Sequence, residues 1–584
     1  MYSFQSLLST HCAPAIPSGC IVANSFHPKT HISPLLISSC QTSRNIKSAL
    51  AIRAAGKNVD HDDAISTTTN STTVPLMEST DGLGIVDFLQ GKNYFITGAT
   101  GFVGKVFVEK MLRAVPNVGK IFLLIKAKDK EAATKRLQDQ IMDTELFKSL
   151  EKVHGTSYKT FMKNKLVPVV GNVNEPDLGM DADMASEIAN EVDIIVNSAA
   201  NTTFDDRYDA TLNTNTMGPY RLLGFAKKCK KLSLFLHFST AYVHGKRKGI
   251  ILERPLCEGQ SVAEAEESIP VLDIEAEIKL ALNLKRSFSG TEIAWNQKMK
   301  ELGMERARAY GWQNTYSFTK AMGEMLINST RGDIPVVIIR PSIIESTFRE
   351  PFPGWIEGSR MLDPIIIGHA KGHLTGFVGH PETVIDVVPV DMVVNASMAA
   401  MAKQGLAGKP GLIVYHITSS VANPVNFHTI LKFSSDHFNC FPIKGLKGLK
   451  TTGTTDIKLF RSADIFSSNI WGESTVGQNE LKGAAAPSDP KLRRRQETEY
   501  RKIKLYIHLA KLYEPYSHYG GWFDSGNTIK LIRDMSMEER ENFGFDVQSI
   551  DWEHYFLNIH IPGLRRHVMK EPHSLCFNRT DENS

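Results

Sequence analysis

An α/β architecture, a doubly wound parallel sheet followed by a smaller and mainly helical C-terminal domain, is what this 584-residue sequence predicts. Short apolar runs rich in β-branched and aromatic residues alternate with helical periodicity over residues 85–405. One of these runs passes directly into a glycine-rich turn and then a helix. Beyond residue 499 helical spacing dominates. Regular alternation of strand and helix demands a parallel sheet covered on both faces.

The run in question is Tyr94-Phe95-Ile96, a buried strand by pattern. Thr97-Gly98-Ala99-Thr100-Gly101-Phe102-Val103-Gly104 follows, with glycines at every third place. Val103, Phe107, Met111 and Leu112 then recur at helical spacing, with Lys105, Glu109 and Lys110 on the other side. Strand, glycine turn and helix in this order aim backbone N–H groups and a positive helix end at a pyrophosphate, so a Rossmann-type dinucleotide site is expected here.

The second strand, residues 120–125, closes on Lys126-Ala127-Lys128, with an acid delayed to Asp129. The residue closing this strand faces the adenosine ribose, and NAD enzymes usually place an acid there. Two ammonium groups attract a 2′-phosphate that a carboxylate would repel, which points to NADPH. Two solvated lysines at a strand end are the alternative. Residues 166–173 give a third strand with Asn172 and Val173 at its end. Residues 193–200 give a fourth, whose small Ala199 and Ala200 let a cofactor approach, and a helix containing Asn215 follows. Residues 233–240 give a fifth, ending in the hydroxyls of Ser239 and Thr240. Residues 257–310 are charged and read as an inserted helical excursion, and residues 334–341 give a sixth strand.

Between the fifth and sixth strands lies Tyr316-Ser317-Phe318-Thr319-Lys320. A spacing of four puts the phenol and the ammonium on one helix face. A phenol of pKa ≈ 10 is a poor acid–base group at neutral pH. An ammonium at ~4 Å is worth roughly 4 kcal/mol at an effective dielectric of 20, so Lys320 is expected to lower that pKa. A surface helix pair is the alternative reading of Tyr-x-x-x-Lys.

The chain is 42% hydrophobic and carries no apolar run long enough for a membrane span. Residues 1–59 hold Lys29, Arg44, Lys47, Arg53 and Lys57 and no acid before Asp60. Removing those five from the 67 Lys and Arg leaves 62 against 63 Asp and Glu, so nothing suggests a nucleic-acid footprint. The Ser- and Thr-rich, acid-free start reads as an organelle transit peptide over residues 1–55. Its low Arg and high Ser favour the plastid over the mitochondrion, and a plain disordered tail is the alternative. Residues 56–84 read as a flexible linker. Cys229, Cys257, Cys440 and Cys576, the cysteines outside this segment, form no CxxC pair, so neither a metal site nor a disulfide framework is expected.

TGATGFVG from Thr97, NSAA from Asn197, FSTAYVHG from Phe238 and YSFTK from Tyr316 together resemble the extended short-chain dehydrogenase/reductase superfamily. The resemblance implies catalysis by Thr240, with Ser239 beside it, Tyr316 and Lys320. It implies cofactor contacts from the turn (Thr97, Gly98, Thr100, Gly101, Phe102, Val103, Gly104). Lys126, Lys128, Asn172, Val173, Ala199, Ala200, Pro341 and Ser342 join them, along with Tyr316 and Lys320 themselves. Asn215 takes a mainly supporting position. Asn172 departs from the pattern, since many relatives have Asp near the adenine.

Over residues 85–570 the chain is also similar to the plant fatty acyl reductases. The similarity lies in Arg340-Pro341-Ser342-Ile343-Ile344-Glu345-Ser346, in residues 350–358 (EPFPGWIEG), in residues 389–396 and in residues 559–567 (IHIPGLRRH). With its plastid extension it resembles the male-sterility-2-type reductases that make fatty alcohols for the pollen wall. The resemblance implies NADPH-dependent reduction of a fatty acyl thioester, bound to acyl carrier protein or coenzyme A, to a primary alcohol in the plastid stroma. A superfamily epimerase or dehydrogenase acting on another substrate, and a non-catalytic NADP-binding protein, are the alternatives. Residues 406–471 are left as a connecting or substrate region and residues 472–498 as a polar linker before a helical domain over 499–584. That domain either closes an acyl tunnel or packs as a lid without touching substrate. An acidic carrier would need a basic docking surface, for which Lys444, Lys447 and Lys450, or Lys491 with Arg493, Arg494 and Arg495, are candidates.

Overall fold

Seven parallel strands build one sheet in a computed structural model that describes residues 82–262, 271–443, 456–474, 476–477 and 489–571. The transit-type segment and Lys444, Lys447 and Lys450 lie outside the described residues. The strands are β1 (Tyr94–Thr97), β2 (Ile121–Ile125), β3 (Leu166–Val170), β4 (Ile194–Asn197), β5 (Leu234–Phe238), β6 (Val336–Pro341) and β7 (Leu412–Ile417). Their spatial order is β3-β2-β1-β4-β5-β6-β7. Chain direction across the sheet reverses between β1 and β4, which opens a crevice at their C-terminal ends. Register brings Thr97 opposite Asn197 and Asn197 opposite His237, so those ends form one rim.

Six of these strands match the expected ones, and β7 does not. It lies within the stretch left as a connecting region, and its register against β6 from Leu412↔Val336 to Ile417↔Pro341 makes it an integral edge strand. The inserted excursion is helical as expected, with helices at Ile274–Ser287 and Glu292–Ala309.

Helix α1 (Phe102–Ala114) differs from its amphipathic reading. Lys105, Glu109 and Lys110 are all buried rather than solvated. Each is neutralised where it lies: Lys105 by Glu357 at 2.7 Å, Lys110 by Glu350, and Glu109 by Arg113 at 2.9 Å. Helix α2 (Thr315–Thr330) carries Tyr316 and Lys320 and starts at Asn314, whose side chain accepts the Ser317 N–H at 2.9 Å. Glu324 on α2 and Arg340 on β6 form a fully buried pair, with Arg340 Nε 3.0 Å from Glu324 Oε1. Helix α3 (Val390–Ala407) packs against α1. Its Asp391 accepts the backbone N–H groups of Phe348, Arg349 and Glu350.

The C-terminal part begins earlier than the sequence suggests. Helix α4 (Pro490–Ser517) starts inside the expected linker, because Asp489 caps Lys491 N–H at 2.9 Å and Pro490 takes the first helical position. Lys491 and the three arginines fall in its exposed first turns. A capping box at Ser536 and Glu539 opens the helix Met537–Asn542, and Glu539 also accepts the N–H groups of Leu83 and Ile85. A single apolar cluster runs from Ile85 to Leu564, so the C-terminal helices share the core of the sheet. No helix among the described residues is long and apolar enough to cross a membrane.

Removing one partner of a buried ion pair strands the other and costs about 3–5 kcal/mol. Glu324→Gln is therefore expected to lower the urea midpoint strongly. Urea unfolding followed by far-UV circular dichroism measures this, and an unchanged midpoint would show that the pair carries no stability.

Candidate active site

The glycine turn has the geometry a pyrophosphate requires. Gly98 has φ +72°, and a Cβ there would lie 2.6 Å from the Ala199 nitrogen. A Cβ at Gly104 would lie 2.3 Å from the Gly98 oxygen, so the third glycine lets α1 pack onto the turn. Gly101 is the N-cap of α1 with extended backbone and no side-chain cap, and a Cβ there would meet nothing nearer than 3.2 Å. The first internal bond of α1 is Lys105 N–H to Gly101 O at 2.9 Å, which leaves the earlier N–H groups, from Phe102, Val103 and Gly104, aimed out of the helix end. Thr100 stands half-buried in the same turn. The residues present fit a dinucleotide.

Thr97 serves differently from the expected cofactor contact. Its hydroxyl donates to Asn197 Oδ1 at 2.8 Å and accepts the Ala199 N–H at 3.2 Å, which ties β1 to β4. Ala200, next along, is exposed.

At the end of β2, Lys126 and Lys128 are exposed and Lys128 Nζ lies 3.6 Å from Asp129 Oδ2. Asp129 is occupied as the N-cap of the helix Lys130–Leu137, accepting the Ala132 N–H at 2.7 Å. Both oxygens of the acid nearest this strand end are thus engaged, Oδ1 by the helix start and Oδ2 by Lys128. Arg136 hydrogen-bonds the Lys126 carbonyl and brings a further cation that the sequence reading missed. After β3, Asn172 Oδ1 accepts the Asn174 N–H at 3.1 Å, and Val173 is buried behind Gly218.

A buried polar chain crosses the rim to the Tyr-x-x-x-Lys helix. From Thr97 and Asn197 it continues through Asn197 Nδ2 to His237 Nδ1 (3.0 Å) and His237 Nε2 to Lys320 Nζ (3.3 Å). It ends where Lys320 Nζ donates to the Phe238 carbonyl at 2.7 Å. Burial lowers Lys320 to about 8, with Glu324 one turn away opposing the shift. Burial, then Lys320 and Arg340, hold His237 well below its ordinary range, so it is neutral. Asn197 and His237 were not foreseen, because only strand register brings them beside Lys320.

Tyr316 reverses an expectation. Burial pushes its phenol up, and Lys320 contributes nothing to lower it. The Lys320 amine is turned to Phe238 O, 3.3 Å from His237 Nε2, and is buried, whereas Tyr316 keeps part of its surface exposed. A raised phenol stays protonated, which suits a proton donor rather than a base. Thr240 caps the short turn Ala241–His244 by accepting the Tyr242 N–H at 3.4 Å, which leaves its own proton for another acceptor. Ser239 is buried with its hydroxyl unpartnered among the described residues. Pro341 and Ser342 close β6, with Ser342 N–H donating to Ile417 O at 3.1 Å.

Asn215 supports rather than contacts. Its Nδ2 donates to Asn201 O (2.9 Å) and Thr319 Oγ1 (3.1 Å), and its Oδ1 accepts the Asn201 N–H (2.8 Å). A Cβ at Gly323 would lie 2.2 Å from Asn215 O, so α2 needs that glycine to seat against it.

The C-terminal part reaches this site through aromatic rings. Phe204 stacks on Tyr316 at 5.9 Å, and Tyr513 and Tyr516 of α4 meet Phe204 at 6.1 and 5.4 Å. Asn314 Nδ2 donates to the Tyr516 hydroxyl at 2.6 Å. On the cofactor side, Trp355 stacks on Phe102 at 5.5 Å, and the Arg360 guanidinium lies 4.3 Å over the same ring.

Two family models described as "Male sterility protein" match the chain, an NAD-binding one over residues 96–397 and a second over residues 491–571. The chain is 52% identical over 497 residues to "Fatty acyl-CoA reductase 2, chloroplastic" of Arabidopsis thaliana, covering 84% of this chain and 80% of that one. It is 39% identical over 492 residues to "Alcohol-forming fatty acyl-CoA reductase" of Simmondsia chinensis, covering 83% and 99%. The terminal R domain from the myxalamid PKS-NRPS biosynthetic pathway shares the fold, with a TM-score of 0.53 at 17% identity over 83% of this chain and 95% of that one. With a nicotinamide-dinucleotide-binding model over more than half its length and a curated reductase matched along nearly all of its own, the chain belongs to the fatty acyl-CoA reductase family, the male sterility proteins.

Proposed function

We propose that this protein reduces a long-chain fatty acyl thioester to a primary fatty alcohol, through the aldehyde, with NADPH. The observation that carries the reading is Tyr316, its phenol raised by burial, four residues ahead of a buried Lys320 on α2 that donates to the end of β5. When bound, one NADPH would supply hydride to the thioester carbonyl, and a second NADPH, bound after the spent cofactor leaves, would supply hydride to the aldehyde. Thr240 donates a hydrogen bond to the carbonyl oxygen as charge develops there, as an oxyanion hole does. The hemithioacetal collapses, the carrier thiol leaves, and an aldehyde remains. Tyr316 gives its proton to the aldehyde oxygen as general acid during the second reduction. Lys320 holds the ribose hydroxyls. Lys126, Lys128 and Arg136 around the end of β2 receive the 2′-phosphate, and the engagement of Asp129 as a cap supports NADPH over NADH.

The acid-free first 59 residues and the word "chloroplastic" in a relative's name support action in the plastid stroma. New acyl chains are carried there on acyl carrier protein, so that thioester is the proposed substrate. The exposed start of α4, with Lys491, Arg494 and Arg495, is the proposed docking surface for the acidic carrier. The "Male sterility protein" description supports an outlet in pollen-wall lipid.

Incubating the mature protein with NADPH and a panel of acyl carrier protein and coenzyme A thioesters should yield fatty alcohol. Tyr316→Phe should cut turnover by orders of magnitude while NADPH binding stays nearly intact. An epimerised or dehydrated product, or normal turnover in Tyr316→Phe, would refute the assignment.

Lys320 is protonated below its lowered pKa of about 8 and neutral above it. NADPH affinity and turnover should therefore hold on the acid side and decline as pH rises through about 8. Fluorescence titration of NADPH across pH measures the binding limb. A profile flat past that value would mean the ammonium is not the binding form.

NADPH should bind more tightly than NADH, and Lys126→Glu should narrow the gap, each tenfold of preference being about 1.4 kcal/mol. Equal affinities in the unmodified protein would overturn the 2′-phosphate assignment.

A further inference from the structure

Away from Tyr316, three buried groups converge with their lone pairs facing one another. Glu345 ends the short strand Ile343–Glu345 after β6, Asp363 opens the helix Asp363–Ala370, and His560 ends the turn Tyr555–His560. All three are fully buried. His560 Nε2 lies 3.2 Å from Asp363 Oδ1 and 3.7 Å from Glu345 Oε2. None of those contacts has hydrogen-bond geometry. Both Glu345 oxygens, Asp363 Oδ1 and His560 Nε2 lack a hydrogen-bond partner among the described residues. One donor atom from each residue lies within 4.8 Å of the others.

The remaining polar atoms are paired in a way that fixes this orientation. Asp363 Oδ2 accepts the Arg360 N–H at 2.7 Å. Tyr555 donates its hydroxyl proton to Ser346 O at 2.8 Å, and its oxygen lies 3.2 Å from Ser346 Oγ. Ser346 then gives its own proton to Tyr555, and its Oγ accepts from His560 Nδ1 at 3.1 Å. With the proton on Nδ1, Nε2 presents a lone pair to two carboxyl groups. An imidazole oriented through its other nitrogen is what a metal-ligating histidine shows. Ligands at ~2.0–2.2 Å from one ion stand roughly 3–4 Å apart, and 3.2 and 3.7 Å fall in that range.

We propose that Glu345, Asp363 and His560 bind one divalent first-row metal ion, with zinc the best match to one imidazole and two carboxylates. The site is independent of the reductase reading. Its ligands come from the short strand that follows β6, the segment after residues 350–358, and the C-terminal part. The ion therefore clasps the C-terminal part to the chain just beyond β6. Close backbone contact marks the same junction, where a Cβ at Gly563 would lie 2.0 Å from Gly354 O. Tyr513, whose phenol is raised by burial and then by Asp363 and Glu345, meets Phe204 at 6.1 Å. Cysteine spacing gave no hint of the site, because no cysteine takes part and the ligands lie far apart in sequence.

The test uses the full chain purified without chelators or a metal-affinity tag. Mass-spectrometric metal analysis after dialysis should find close to one zinc-class ion per chain, and Glu345→Gln and His560→Gln should each lower it at least tenfold. A strong chelator should lower the melting temperature of the parent protein and leave that of Glu345→Gln unchanged. Metal content far below stoichiometric that does not rise on adding Zn²⁺ or Mn²⁺, with chelator-insensitive melting, would overturn the proposal and leave a shared proton in the ion's place. If both variants fail to fold, the metal content and chelator response of the parent decide the question alone.

Discussion

Glu324 and Arg340 meet in the middle of this protein with no solvent at either group, and the rest of the site is placed by that pair. Two opposite charges out of water are no bargain in stability, since desolvation consumes most of their attraction. What they fix is geometry. The guanidinium also reaches His244 Nε2 at 2.8 Å and His416 Nε2 at 3.4 Å. Burial, and then Arg340 itself, keep both rings neutral, His416 down at about 3, so each can accept. His416 in turn lies through Nδ1 2.8 Å from Asp524 O in the C-terminal part. One cation thus registers α2, the turn after β5, β6, β7 and the C-terminal part. Lys320 sits one helical turn from Glu324 and inherits its position from it.

Burial decides the electrostatics of Tyr316 and Lys320 more than their mutual charge does. Taken alone, an ammonium four residues along a helix should pull a phenol down. Here burial raises the phenol and lowers the amine, and the amine donates to Phe238 O and lies 3.3 Å from His237 Nε2. The consequence for chemistry is a retained proton on Tyr316 and an ammonium near its titration point. The chain from Thr97 through Asn197 and His237 then links the glycine turn to that ammonium across three strands.

What could be read from the sequence was what is local. The glycine turn and the Tyr-x-x-x-Lys pair are defined by spacings of three and four, and the structure places both at the sheet's C-terminal rim. The run Leu412–Ile417 was legible as a strand from its own residues, but it follows the stretch where alternation had been taken to end. The polar face of α1 misled, because Glu350 and Glu357, which neutralise Lys110 and Lys105, lie some 250 residues on. The arginine-rich stretch looked like a linker on composition, whereas Asp489 and Pro490 are a helix start. Asn197, His237 and Arg136 depend on register and loop path, which no single stretch encodes.

Residues 350–358 gain a physical meaning from their surroundings. Trp355 lies on Phe102 in the first turn of α1, and Glu357 and Glu350 neutralise Lys105 and Lys110 along the same helix. Gly354, at φ +78°, meets Gly563 so closely that a Cβ on either would strike backbone. Residues 559–567 are therefore held within one glycine's width of the segment that grips the dinucleotide helix. Asp391 of α3 fixes the start of that segment through three backbone N–H groups. The stretches that carry the resemblance to the plant reductases come together as one bracket joining α1 to the C-terminal part. A dehydrogenase of the same superfamily with no C-terminal part would have nothing for such a bracket to hold.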